Sequence, residues 1–296
     1  MIKVYQEADK VIIDEMKDFN LDHIFDCGQC FRWKKERDGS YTGIAYGKVI
    51  NVNYIDQKKV IIDNTNLEDY NRIWKSYLDL DRDYFEIKKV LSENDEIMAR
   101  AILFGQGIRI LKQEKWETLI SFLISQNNNI PRIKKCIENL CKSYGNLVGI
   151  YQGEKYYSFP EPGVIANLKE NDLGALRLGY RGKYILETAR IVAADGGASL
   201  MNMEEAVLEE ARQYLMNLCG VGPKVANCIL LFSMGKYESF PIDVWVKRVM
   251  NQLYLIDEDD SKAMQGFAQK RFGKYGGIAQ QYLFYYIRGN IKILEE

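Results

Sequence analysis

Gly220-Val221-Gly222 interrupts an apolar helical pattern and Pro223 restarts one, so the chain has to reverse direction within a few residues. Before the break, Ala211, Tyr214, Leu215 and Leu218 recur at the spacing of one helix face. Pro223 suits the first turn of the next helix, where its missing N–H costs nothing. Two glycines around one apolar residue permit a tight turn and a close approach of backbone to a ligand. The free N–H groups at the start of the following helix can hold a phosphate, and Val221 can pin the turn to a core. The pattern alone also fits a glycine turn between two core helices. Lys224 adds chemistry: in a first helical turn the dipole disfavours an ammonium, and burial would disfavour it further, so both favour a neutral, nucleophilic amine. Asp243 follows in Phe-Pro-Ile-Asp-Val, where its simplest task is to cap a helix starting near Val244.

The rest of the chain divides by period. Residues 1 to about 65 read as strands: CFRWKKE, YTGIAYG, VINVNYI and KVIIDNT are short and rich in Val, Ile, Tyr and Phe, and Asp38-Gly39 marks a hairpin turn. From Asn66 onward Leu67, Tyr70, Ile73, Trp74, Tyr77 and Leu78 take up helical spacing, and helical patterns are expected nearly to the end. Thr118 to Gln126 is apolar on most faces and predicts a buried helix, with the next beginning near Pro131; loops are expected at Lys142–Asn146, Phe159–Gly163 and Ala194–Ala198. The fold class is α+β. A small antiparallel sheet domain with flanking helices spans 1–95, and a helical domain with the hairpin at about 209–235 spans 96–296.

The 296 residues, with 47% hydrophobic and 27% charged, suit folded domains. No apolar run is long enough to predict a membrane span, and the first residues lack the apolar core of a signal peptide, so a cytoplasmic protein is expected. The net charge of -1 does not by itself suggest nucleic acid, although a binding face needs only local positive charge. Cys27 and Cys30 form a Cys-x-x-Cys, but no second pair follows at zinc-ribbon spacing, and His23 is the one histidine.

The hairpin, Leu-x-Gly-Val-Gly-x-Lys over Leu218–Lys224, resembles the helix-hairpin-helix motif, and with Asp243 it resembles the branch of the helix-hairpin-helix DNA glycosylases that also cleaves the strand. Further motifs resemble the 8-oxoguanine DNA glycosylase/lyase family across most of the chain. The resemblance implies that the Lys224 amine attacks the damaged nucleoside, that a Schiff base and β-elimination follow, and that Asp243 stabilises the cationic sugar. It implies Gly28, Cys228, Gln280 and Phe284 around the extruded base. In Ser125–Arg132, Asn127 and Arg132 would face the orphaned cytosine. In Leu178–Tyr184, Tyr180 would be the wedge and Arg181 a second cytosine reader. Gly220, Val221, Gly222 and Trp245 would meet the DNA backbone, and the carbonyls of Met216, Leu218 and Val221 could hold a sodium or potassium ion. No other cofactor is implied; the partner is damaged double-stranded DNA and the enzyme a monomer.

Trp245 stands where the family often has histidine, and Pro131 is unusual beside Arg132. An iron–sulfur cluster, found in other branches behind four cysteines, is not expected, because no cysteine follows Cys228. The alternatives are a helix-hairpin-helix glycosylase for another damaged base and a non-catalytic DNA-binding module. Base release from a duplex carrying 8-oxoguanine opposite cytosine separates them.

Overall fold

The computed structural model describes residues 2–174 and 176–290; Met1, Ala175 and the last six residues of the expected helical domain lie outside the described residues. Six strands form one antiparallel sheet: β1 (Lys3–Glu7), β2 (Lys10–Asp14), β3 (Trp33–Lys35), β4 (Tyr41–Ala45), β5 (Lys48–Ile55) and β6 (Lys59–Asp63), in the order β1-β2-β6-β5-β4-β3. Register places Val11 opposite Ile62, Ile62 opposite Val52 and Val52 opposite Tyr41. A row of buried β-branched and aromatic side chains therefore crosses four strands on one face. Asp38-Gly39 makes the β3–β4 turn, closed by the Glu36 N–H on the Ser40 carbonyl at 2.8 Å.

The helical expectation beyond Asn66 needs one correction. Leu147–Tyr151 (β7) and Glu154–Tyr157 (β8) form a second, two-stranded sheet inside the helical domain. Gln152 (φ 49°) and Gly153 (φ 82°) supply the two left-handed residues of a tight hairpin turn. The hairpin docks on the main sheet through Tyr151 Oη donating to Asp63 (2.7 Å) and the Lys34–Glu154 ion pair (2.7 Å). The loop expected from Lys142 begins later, because the helix α2 (Ile130–Tyr144) continues to Tyr144.

Four helices frame the site besides α2. They are α1 (Lys115–Ser125), α5 (Pro223–Ser233), α6 (Val244–Gln252) and α7 (Gly276–Gly289); α3 (Arg181–Ala193) and α4 (Leu208–Met216) support them. Helix α1 is buried from Thr118 to Ile124, as its apolar pattern requires, and packs against α5. Among the described residues no helix is long and apolar enough to cross a membrane.

Two cores result. One fills the sheet face and the helical turns through Leu80, and the other begins at Tyr84 and fills the helical domain; Phe31 joins the second and Leu111 the first, so the two interlock. Arg109, 4% exposed, ties the junction. Its guanidinium donates to the carbonyls of Asp18 (2.9 Å), Asp79 (2.7 Å) and Lys17 (3.1 Å) and lies against the Tyr84 ring at 4.7 Å. Removing it leaves these part-buried carbonyls without its donors, at about 1–3 kcal/mol for each that water does not reach. Arg109→Met should therefore lower the free energy of unfolding by about 3 kcal/mol in a denaturant titration; a change under about 1 kcal/mol would show that the junction does not depend on it.

Candidate active site

The turn between α4 and α5 is sterically specified at Gly220. Its φ is 76°, and a Cβ there would stand 2.4 Å from the Tyr184 ring on α3. Gly222 is different, since a Cβ there meets nothing within 4 Å and faces open space. The first glycine thus serves packing, while the second leaves the approach to the α5 N-terminus clear. Val221 is 6% exposed and sits in the helical core, with its N–H on the Leu218 carbonyl at 3.2 Å.

Pro223 opens α5, and Lys224 stands beside it in the first turn, half-buried. Its side chain reaches a cavity of about 530 Å³ where α1, α5, α6, α7 and the Gly28 loop meet. Gly28, Lys224, Cys228, Asp243, Trp245, Gln280 and Phe284 all line it, so residues far apart in sequence share one wall. A larger cavity of about 660 Å³ lies beside it, under β3, β4, α2 and β8, and none of the residues singled out from sequence lines that one.

Asp243 caps α6 by accepting the Val246 N–H at 2.8 Å, so its capping role and its place in the cavity coexist. Burial raises its carboxyl above the ordinary range, and the Val246 N–H and the Lys224 charge pull it partly back. Cys228 is 3% exposed, and burial pushes its thiol up to about 11 despite Lys224, so it is neutral at physiological pH. Gln280 is 4% exposed, and among the described residues its Oε1 has no hydrogen-bond partner. A buried amide oxygen without a donor costs about 1–3 kcal/mol, which a bound ligand offering an N–H would recover. Phe284 lies one turn further along α7, on the same side of the helix.

Gly28 has φ 82°, and a Cβ there would lie 3.2 Å from the Phe284 ring. The loop is held from both sides. Gln281 Nε2 donates to the Cys27 carbonyl at 2.7 Å, while buried Gln29 bonds Ile24, Arg109 and Leu111. Cys27 and Cys30 are buried free thiols serving this packing. Sequence reasoning passed over Phe122, Phe31, Phe232 and Arg288, which also line the cavity. Phe122 and Phe232 sit in apolar runs whose pattern signals only core, Phe31 stands between Cys30 and Arg32 at the start of a strand pattern, and Arg288, one turn beyond Phe284, was the readable one.

The residues expected at the opposite base lie outside this cavity. Asn127 (φ 45°) and Arg132 are exposed, and Tyr180 is 52% exposed at the start of α3. Arg181 departs from expectation. It is 4% exposed, and its guanidinium donates to the carbonyls of Gln126 (2.8 Å), Asn127 (2.8 Å) and Leu178 (3.3 Å). Three carbonyls converge on it, so in this structure it braces the Asn127 loop. Gln126 Nε2 extends the brace to the Gly220 carbonyl at 3.1 Å. Trp245 is half-buried, with the Arg248 guanidinium 4.9 Å from its ring. Among the described residues no three His, Cys, Asp or Glu gather as metal ligands.

A helix–turn–helix whose second helix delivers a lysine to a carboxylate-containing cavity defines the class: a helix-hairpin-helix protein of base excision DNA repair. Residues 120–274 match the family model of the HhH-GPD superfamily of base excision DNA repair proteins, and residues 11–119 match that of the N-terminal domain of 8-oxoguanine DNA glycosylase. The chain belongs to the N-glycosylase/DNA lyase enzymes of this superfamily. It is 42% identical over 168 residues to the N-glycosylase/DNA lyase of Saccharomyces cerevisiae, covering 53% of this chain and 45% of that protein. The 8-oxoguanine glycosylase/lyase of Clostridium acetobutylicum, solved with duplex DNA carrying cytosine opposite 8-oxoguanine, is 43% identical with a TM-score of 0.92 over 98% of both chains. MBOgg1, solved with a low affinity DNA ligand, is 48% identical with a TM-score of 0.93 over 98% of this chain and 99% of its own.

Folding disfavours the ionised form of Asp243, since its folded pKa is raised. The penalty is absent below the unfolded value of about 3.9 and fully present above the folded one. Asp243→Asn keeps a good cap and should be more stable than the wild type near pH 7, with the difference closing as pH falls towards about 4. Denaturant titrations at both pH values check this, and a wild type more stable than the variant at neutral pH would contradict it. Gly220→Ala should unfold at clearly lower denaturant concentration than Gly222→Ala, because only the first new methyl meets a ring.

Proposed function

We propose that the protein excises 8-oxoguanine from duplex DNA, preferring cytosine opposite, and then cleaves the strand through a Schiff base on Lys224. The observation that carries this reading is the buried Oε1 of Gln280, without a partner among the described residues, in the same cavity as Lys224, Asp243, Cys228 and Phe284. An extruded purine offers N–H groups to that oxygen and a flat face to the Phe284 ring. The Gly28 carbonyl would accept the hydrogen that 8-oxoguanine carries on N7, where guanine has a repelling lone pair. The mismatch of a buried acceptor, about 1–3 kcal/mol, gives roughly ten- to hundredfold discrimination.

In the reaction, the amine of Lys224 forms a bond to C1′ as the glycosidic electron pair leaves with the base. Ring opening gives the Schiff base, and β-elimination releases the 3′ phosphate. The raised carboxyl of Asp243 makes it a stronger base than an ordinary aspartate, suited to accept the proton from Lys224, and its charge opposes the developing cationic sugar. The open approach at Gly222 favours a DNA phosphate at the α5 N-terminus. The Leu218 carbonyl accepts one N–H and keeps a second lone pair, and Met216 is the last residue of α4. With Val221 these neutral oxygens suit a sodium or potassium ion, which would add positive charge beside that phosphate. Exposed Asn127 and Arg132 favour reading of cytosine, with Tyr180 filling the vacated stack. Arg181 supports that reading from beneath by holding the carbonyls of Gln126 and Asn127.

Duplexes carrying 8-oxoguanine opposite each of the four bases test the reading. Base release and nicking should be fastest opposite cytosine, and equal rates opposite all four would refute the preference. Lys224→Gln should lose the borohydride-trapped covalent adduct while still binding the duplex. Gly222→Ala should weaken duplex binding by about tenfold with little change in stability, and unchanged affinity would move the phosphate site elsewhere.

A further inference from the structure

Lys224 Nζ lies 5.2 Å from the centre of the Phe122 ring. Phe122 belongs to the buried helix α1, is 4% exposed, and forms part of the cavity wall. Its orientation is fixed by the core. Phe232 of α5 stacks on it at 5.5 Å with 14° between planes, and Phe31 meets it edge-on at 5.7 Å. The face presented to Lys224 is therefore in place before any ligand arrives. A cation within about 6 Å of a ring centre is attracted to the negative face, more strongly where water is excluded.

The titratable and charged groups lining the same cavity are Asp243 at the start of α6, Cys228 on α5 and Arg288 on α7. Cys228 carries no charge near neutrality. Asp243 and the ring favour the ammonium, and the α5 N-terminus opposes it.

We propose that Phe122 is a positioning residue for Lys224: its ring face seats the ammonium at the cavity wall and so governs how readily the amine is released as a nucleophile. The inference rests on Lys224 being that nucleophile. It gives the aromatic wall a task beyond packing, because the charged amine has a defined resting place from which proton loss to Asp243 releases it towards C1′.

The test is the pH dependence of adduct formation under single-turnover conditions, trapped with cyanoborohydride on a duplex carrying 8-oxoguanine opposite cytosine. Phe122→Leu keeps an apolar side chain and removes the ring face. Its acid-side midpoint should fall by about half to one pH unit, and Phe122→Tyr should restore the wild-type midpoint. Phe232→Leu disturbs the same packing without removing that face, and should leave the midpoint in place whatever it does to the plateau rate. If Phe122→Leu does not fold, 4-fluoro- and 3,4,5-trifluorophenylalanine at position 122 weaken the ring's negative face at nearly constant volume, and the midpoint should fall stepwise with fluorination. A midpoint that stays at the wild-type value when the face is removed or fluorinated overturns the proposal. Absence of any adduct in the wild type would instead overturn the assignment of Lys224.

Discussion

The cavity exists because two separately packed cores are locked at one angle, and the lock is made of polar groups buried at their junction. Arg109 collects the carbonyls of the sheet domain, Gln29 spans from its own loop to the backbone at Arg109 and Leu111, and Gln281 reaches from α7 to the Cys27 carbonyl. Each buried polar group is tolerable only while its partner stays in place. That condition converts a hydrophobic contact, which has no preferred direction, into a fixed geometry. The Gly28 loop then stands against Phe284, and that wall of the cavity is built from segments far apart in sequence.

Within that frame the site is assembled from groups that cost stability. Gln280 carries an oxygen unsatisfied among the described residues, Asp243 holds a carboxylate where burial disfavours charge, and Lys224 sits at the wrong end of a helix dipole for an ammonium. Such groups concentrate where function needs them and are supported elsewhere. Here the support is the apolar α1–α5 contact and the aromatic stack of Phe31, Phe122 and Phe232. Structural and chemical roles also overlap on single residues: Asp243 caps α6 while facing Lys224, and Gly220 makes room for Tyr184 while turning the chain into α5.

The strands, the hairpin and the cap at Asp243 were legible because each depends on short-range pattern: alternation, two glycines before a proline, a cap before an apolar run; the pairing of Asp243 with Lys224 came only from the family resemblance. The β7–β8 hairpin was not: Leu147–Tyr157 does carry Val, Ile and Tyr, but the run is short and its turn, Gln-Gly, is a weaker signal than Asn-Gly. Its stability comes from docking on Asp63 and Lys34, which no local pattern reveals. Arg181 could be picked out by its neighbours in sequence, but not its partners, because the carbonyls of Gln126 and Asn127 reach it only through the fold. Phe122 was hidden for the opposite reason: a residue in the apolar run Leu119–Ile124 of a buried helix looks like core, and it also forms part of the cavity wall.

The decisive property of the site is which atom bonds to the DNA. Borohydride trapping on a duplex with 8-oxoguanine opposite cytosine, followed by proteolysis and peptide sequencing by mass spectrometry, locates that bond. The predicted result is a single modified site at Nζ of Lys224. A modified residue elsewhere, whether another lysine or the α-amine of the chain, would contradict the account.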